Sequence, residues 1–170
     1  MNSQRFRFLC PAIVLFSAAA FLPSSAQQPQ TLPSNYIRVS APYAEKIVVA
    51  AMKRHSSQIQ KIGLHAVPPQ ASDNVIIASN LPEKIGKKNS ASDMEILAAG
   101  KPHLLRDEKG KFFDLAIPVH DKAGRDIGGG LLVMEVPYAD AASESEAMHI
   151  GLAIRDELQR QIPSKESLYR

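Results

Sequence analysis

Two alternating runs joined by a short polar turn, "FFDLAIPVHDKAGRDIGGGLLVMEV" (112–136), constrain the fold of this chain more than any other segment. Successive side chains on a strand point to opposite faces. Phe113, Leu115, Ile117 and Val119 therefore share one face, expected to be the core, and Phe112, Asp114, Ala116, Pro118 and His120 share the other. A third run, "HLLRD" (103–107), precedes them, with Lys109-Gly110 as the turn. Strands this close in sequence pair antiparallel, because a parallel partner needs a long crossover. The three runs predict a meander. Gly128, Gly129 and Gly130 stand before a strand rather than a helix, and no Lys-Ser or Lys-Thr follows them, so the strand–glycine–helix order of a phosphate loop is missing. They are expected to mark a bulge or a close backbone approach, after a type I turn over Asp121–Gly124.

The rest of the chain supplies two more strands and three helices. After Pro42, the apolar positions Ala44, Ile47, Val48, Ala51, His55, Ile59 and Ile62 recur at three and four, predicting a long N-terminal helix closed by Gly63. "GLHAV" (63–67) and "NVIIAS" (74–79) read as strands. "NSASDMEILAAGKP" reads as a short middle helix, with Ser92 and Glu95 as a capping box and Gly100 as the left-handed stop. A C-terminal helix begins at Ser143, boxed with Glu146, and its stripe runs through Ala147, Ile150, Gly151, Ile154, Leu158 and Ile162. The fold class is α+β: a curved antiparallel sheet of about five strands, with helices over one face.

The amino terminus carries Arg5 and Arg7, an apolar run from Phe8 to Leu22, and small residues at Ser24 and Ala26. This is the pattern of a signal peptide over residues 1–26, cleaved near Ala26. The run of about 15 residues falls short of the roughly 20 that span a bilayer, and no later stretch could cross one. Residues 27–35 read as a polar linker, 36–163 as a single domain and 164–170 as a tail. Cleavage removes two of the 20 basic residues, leaving 18 against 17 acidic ones, so no nucleic-acid partner is indicated. It also removes Cys10, the one cysteine, and with it disulfides, thiolate metal sites and cysteine catalysis. The localisation expected is periplasmic or secreted.

Few residues suggest chemistry. Glu135 alternates with Leu131 and Val133, and Arg106 alternates with Leu104. If Arg106, Asp114 and Glu135 meet on the face away from the helices, they form either cross-strand salt bridges or the polar floor of a ligand pocket. His103 and His120 stand at strand ends beside that face. Together with His65 they make a weak alternative metal or haem site; the plainer reading is solvated strand-end residues, since no pair has the spacing of a metal helix. Lys84, Lys87 and Lys88 read as a solvated basic loop, with a lid over an anionic ligand as the sharper alternative. Ser79, Ser90 and Ser92 lack the context of a nucleophile, so no catalytic residue is assigned and no enzyme is expected.

The segments "VIIASNLPEKIGKKNSASDMEILAAGKP" and "FFDLAIPVHDKAGRDIGGGLLVMEV" together resemble the Cache family of extracytoplasmic sensor domains, over roughly residues 43–160. The resemblance implies a PAS-like sheet with a small-ligand pocket. The chain lacks the transmembrane helix and kinase or chemotaxis module usual in that family, and it has no tryptophan and so no Arg-x-Trp-Tyr amino-acid signature. The expectation is thus a periplasmic, sensor-type domain without its own output module, binding a small organic ligand such as a metabolite and acting with a membrane sensor partner. The alternatives are a non-catalytic dimerisation module and a haem- or metal-binding sensor; no cofactor is assigned.

Overall fold

The computed structural model describes residues 32–170; the proposed signal peptide and most of the linker lie outside them. Five strands, β1 (Lys61–Ala66), β2 (Val75–Ser79), β3 (His103–Asp107), β4 (Phe112–Pro118) and β5 (Leu131–Pro137), form one sheet in the order β2-β1-β5-β4-β3. Every pairing is antiparallel. The meander is the β3-β4-β5 half. The N-terminal hairpin joins it through β1, which pairs with β5 from Lys61 opposite Glu135 to His65 opposite Leu131.

Three helices complete the α+β fold: α1 (Pro42–Arg54), α2 (Ala91–Ala99) and α3 (Glu144–Gln161). α1 and α3 cover one face of the sheet. Between them and the sheet lie Ile62 and Leu64 of β1, Phe113, Leu115 and Ile117 of β4, and Leu132, Met134 and Val136 of β5, all buried. The strand alternation thus names the core face of β4 correctly. α3 also follows its predicted stripe, with Ala147, Ile150, Gly151, Ile154 and Leu158 buried and the Ser143 hydroxyl accepting from the Glu146 amide at 3.2 Å.

The predicted long N-terminal helix is corrected. α1 has 13 residues and stops at Arg54, and Ile62 belongs to β1. Arg54 and His55 are held there by Glu157 of α3: the guanidinium pairs with its carboxylate, and His55 Nε2 lies 2.8 Å from Oε2. Beyond that clamp the chain pairs with the edge of β5, which satisfies a row of backbone groups that a longer helix would leave open. The cap of α2 is also corrected. Ser90 and Asp93, not Ser92 and Glu95, exchange the capping hydrogen bonds, and Gly100 supplies the left-handed stop.

The segment after Pro163 folds back rather than trailing. Glu166–Tyr169 forms a 3-10 turn against α1, and Leu168 is fully buried. At the other edge, Asn35 to Ile37 are hydrogen-bonded to Gly86–Lys88, which are in turn bonded to β2. The segment carrying Lys84–Lys88 is therefore an anchored extension of the sheet.

The glycine run serves geometry, as its place in the sequence predicts. Asp121 begins the turn, its carbonyl accepting from Gly124 at 2.9 Å. Gly129 has a φ of 65°, and its carbonyl accepts from Asn74 Nδ2 at 2.6 Å. A Cβ on Gly130 would run into the Val119 carbonyl oxygen.

Candidate ligand-binding site

The face of the sheet away from α1 and α3 is open in the middle. Its central row, read across the register, is Ala116, Val133 and Gly63. These small side chains leave a depression. On one side runs a polar row, Leu105, Asp114, Glu135 and Lys61; on the other lie Pro118, Leu131 and His65. α2 and the segment from Lys84 to Ser90 form the opposite wall.

The result is a continuous trough of two joined cavities. One, of about 640 Å³, lies toward β1 and β2 and is lined by Lys61, Gly63, His65, Lys84, Lys87 and Asn89, among others. The second, of about 310 Å³, lies under α2 above His103, Leu105, Ala116 and Asp114. Ser92, Asp93, Asp114 and Val133 border both. Volumes of several hundred Å³ are those of small-molecule sites.

Asp114 borders both cavities. Its Oδ1 is buried and has no hydrogen-bond partner among the described residues. Burial raises its pKa above the usual carboxylate range; Lys61 opposes the shift, and the carboxylates of Glu135, Asp93 and Asp107 reinforce it. Glu135 is better placed, taking a 2.6 Å ion pair from Lys61 and a 3.0 Å hydrogen bond from Gln60. The charge of Lys61 is thus already committed.

His65 is buried at 5% exposure, not a solvated strand-end residue. Burial lowers its pKa, outweighing the opposite influences of Asn89 and Asp93. Its Nδ1 donates to Asn89 Oδ1 at 2.7 Å, which leaves Nε2 as an acceptor. The ring lies beside Gly63, where a Cβ would come within 3.4 Å of Nε2. Glycine therefore keeps that wall of the trough clear. Asn89 Nδ2 is a further buried donor without a partner.

The other predicted residues scatter. Arg106 does not meet Asp114 and Glu135: it pairs with Phe113 on the helix-covered side. Its guanidinium lies 5.7 Å from the Phe113 ring and 5.4 Å from the Tyr138 ring, and it pairs with Glu108 at 3.1 Å. Its alternation with Leu104, a core-packed residue, carries that information. His103 is exposed at the rim under α2. His120 lies past the end of β4, its amide donating to Gln159 of α3 at 3.2 Å. His65 and His103 are on strands separated by β4 and β5, about 14 Å apart at typical strand spacing. Among the described residues no group of three His, Cys, Asp or Glu is placed to hold a metal ion, so the His65–His103–His120 alternative has no geometry behind it.

Lys61, Gly63, Asn89 and Asp93 also line the trough, though the sequence does not single them out. Lys61 and Gly63 alternate with His65, which would have placed all three on one face. Asn89 and Asp93 carry no comparable signal, since their place depends on how the loop and α2 fold over the sheet.

No family model matches the chain, and no curated protein does. Among solved structures it is similar to the GAF domain of a two-component sensor histidine kinase from Bacillus halodurans, at 11% identity and a TM-score of 0.49, over 69% of this chain and 91% of that one. It is also similar to the C-terminal domain of the E. coli transcriptional regulator KdgR, at 14% identity and a TM-score of 0.44, over 73% and 98% respectively. An RNA-binding Light-Oxygen-Voltage receptor aligns at 12% identity and a TM-score of 0.34, over 84% of this chain and 43% of that one. Among the described residues no helix is long and apolar enough to cross a membrane.

Proposed function

We propose that this chain is an exported, Cache-like sensor domain that binds a small polar organic ligand in the trough over its sheet and does not turn it over. The observation that carries the reading is the trough itself. A floor of small residues is ringed by two buried groups whose hydrogen-bonding capacity the described protein leaves unused, Asp114 Oδ1 and Asn89 Nδ2, beside the His65 ring. Buried polar groups without partners cost stability, and a ligand that supplies partners recovers that cost. Signalling would pass to a separate partner, such as a membrane sensor, and the signal-peptide pattern supports a periplasmic or secreted location.

A thermal-shift screen of the purified protein with organic acids, amino acids and purines tests the reading. Ligand at about 100 times its dissociation constant stabilises by about 2.7 kcal/mol, a rise of several degrees. Silence across the screen, with a dimer that forms as concentration rises, would replace it with the dimerisation module. The exposed strip of α1 around Val49, bordered by Pro42, Ala50 and Lys53, is where such a dimer would form.

A further inference from the structure

The two ends of the trough carry opposite charge. At the β1–β2 end, Lys61, Lys84, Lys87 and Lys88 all border the larger cavity. Lys61 is paired with Glu135 at 2.6 Å and Lys88 with Asp73 at 3.0 Å. Lys84 and Lys87 take part in no ion pair among the described residues. Their segment is held in place: Gly86 N donates to the Ile76 carbonyl at 2.8 Å, and Ile76 N donates to the Lys87 carbonyl at 2.9 Å. These two ammonium groups are therefore presented by ordered backbone. The orphaned Asn89 Nδ2 adds a neutral donor at the same end.

At the β4 end stands Asp114, with its buried unpartnered oxygen, among Glu135, Asp93 and Asp107; Lys61, whose charge also acts on it, is paired with Glu135. Between the ends the floor is Ala116, Val133 and Gly63, with neither charge nor large side chain. Asp114 is three strand spacings from β2, about 14 Å. The lysines extend from a segment bonded to β2 and line the larger cavity together with Asp114, with Gly63 and Val133 on the floor they share.

Resting on the ligand-binding reading above, we infer that the ligand is an elongated zwitterion. Its anionic group meets Lys84 and Lys87, its ammonium group meets Asp114, and an apolar chain lies over Ala116, Val133 and Gly63. A dianion would bring negative charge against Asp114, and a simple amine would leave the lysines unanswered. Only a molecule with both charges, held apart by methylenes, matches both ends and the middle.

Isothermal titration calorimetry with three series of increasing chain length tests this: ω-amino acids from glycine upward, the corresponding monocarboxylates, and the alkylamines. Among the ω-amino acids, affinity is expected to rise with length to an optimum well beyond glycine. At that length it should exceed both single-charge analogues by about tenfold or more, the worth of one charge-assisted hydrogen bond. Asp114→Asn should bring the zwitterion down to the level of the monocarboxylate while leaving the monocarboxylate unchanged. The double variant Lys84→Ala, Lys87→Ala, altered only at the rim, should weaken both. Monocarboxylates binding as tightly as zwitterions, or an optimum at glycine, would overturn the inference. So would binding by other compounds in the broad screen with none in these series, while leaving the ligand-binding reading intact. Silence in both overturns both.

Discussion

At the scale of single residues, the trough is a place where the fold gives up stability. Asp114 occupies a strand position whose paired neighbours are Leu105 and Glu135, and burial with adjacent negative charge raises its pKa. A carboxyl whose folded pKa exceeds its unfolded value near 3.8 opposes folding once it is ionised. That cost is absent below about pH 4, grows as pH rises through the folded pKa and is constant above it. Asp114→Asn keeps the shape and offers Glu135 an amide donor. Chemical denaturation should therefore show the variant more stable at pH 7, with the gain vanishing near pH 4. A gain that persisted at pH 4 would mean that charge is not the cause. His65 adds the opposite slope: its lowered pKa means that stability is full above about pH 6.5 and falls as pH drops below it. Neither effect is legible in the sequence. Alternation reveals which face a side chain takes but not what covers that face, and the covering here is α2 together with the segment before it.

At the scale of elements, the hairpin β4–β5 is set by its connection. The Asp121 carboxylate accepts from the amides of Ala123 at 2.8 Å and Arg125 at 2.9 Å, and from Arg125 Nε at 2.6 Å. Burial alone would raise its pKa, but these donors together hold it below the usual range. The glycines that follow let the strand start close against Val119. Gly130→Ala drives a methyl into the Val119 carbonyl and the Ile127 side chain, and should cost about 1–3 kcal/mol. Gly124→Ala meets no atom within 4 Å and carries only the penalty of its φ of 78°, about 1–2 kcal/mol. Thermal unfolding should thus rank Gly130→Ala at least level with Gly124→Ala, and only the former should shift the amide resonances of β4. The meander and α3 were readable because one period, two or 3.6, runs unbroken through each. The helical spacing runs past the end of α1 because Ile59 and Ile62 continue it by coincidence after the chain has turned. The cap of α2 is ambiguous in the sequence because Ser90 and Ser92 are each followed three residues later by an acid, and only the folded backbone distinguishes them.

At the scale of the whole molecule, the helical layer is closed by the last residues of the chain. Tyr43 of α1 donates its hydroxyl to the Gln161 carbonyl at 2.8 Å, Arg125 reaches the Pro163 carbonyl at 3.2 Å, and Lys122 N donates to the Ile162 carbonyl at 2.8 Å. The chain then turns, and Leu168 enters the same cluster as Ala44, Val48 and Ile154. Burial beside it pushes the Tyr169 hydroxyl up to about 12. A sequence reading takes this segment for a tail, because seven residues are too few to show a period and Leu168 is the lone aliphatic among them. Its burial makes a definite demand on stability. Leu168→Ala should cost about 2–5 kcal/mol, the range for a buried leucine truncated to alanine. Val49→Ala, on the 55%-exposed outer face of α1, should cost little. The comparison also separates the two faces of the sheet. Leu168 packs behind the helices and Asp114 opens into the trough, so combining Leu168→Ala with Asp114→Asn should give additive changes in unfolding free energy, within about 0.5 kcal/mol. A larger deviation at pH 7 would show that the helical layer and the trough are coupled through the sheet, the arrangement by which ligand at Asp114 could be felt at α1.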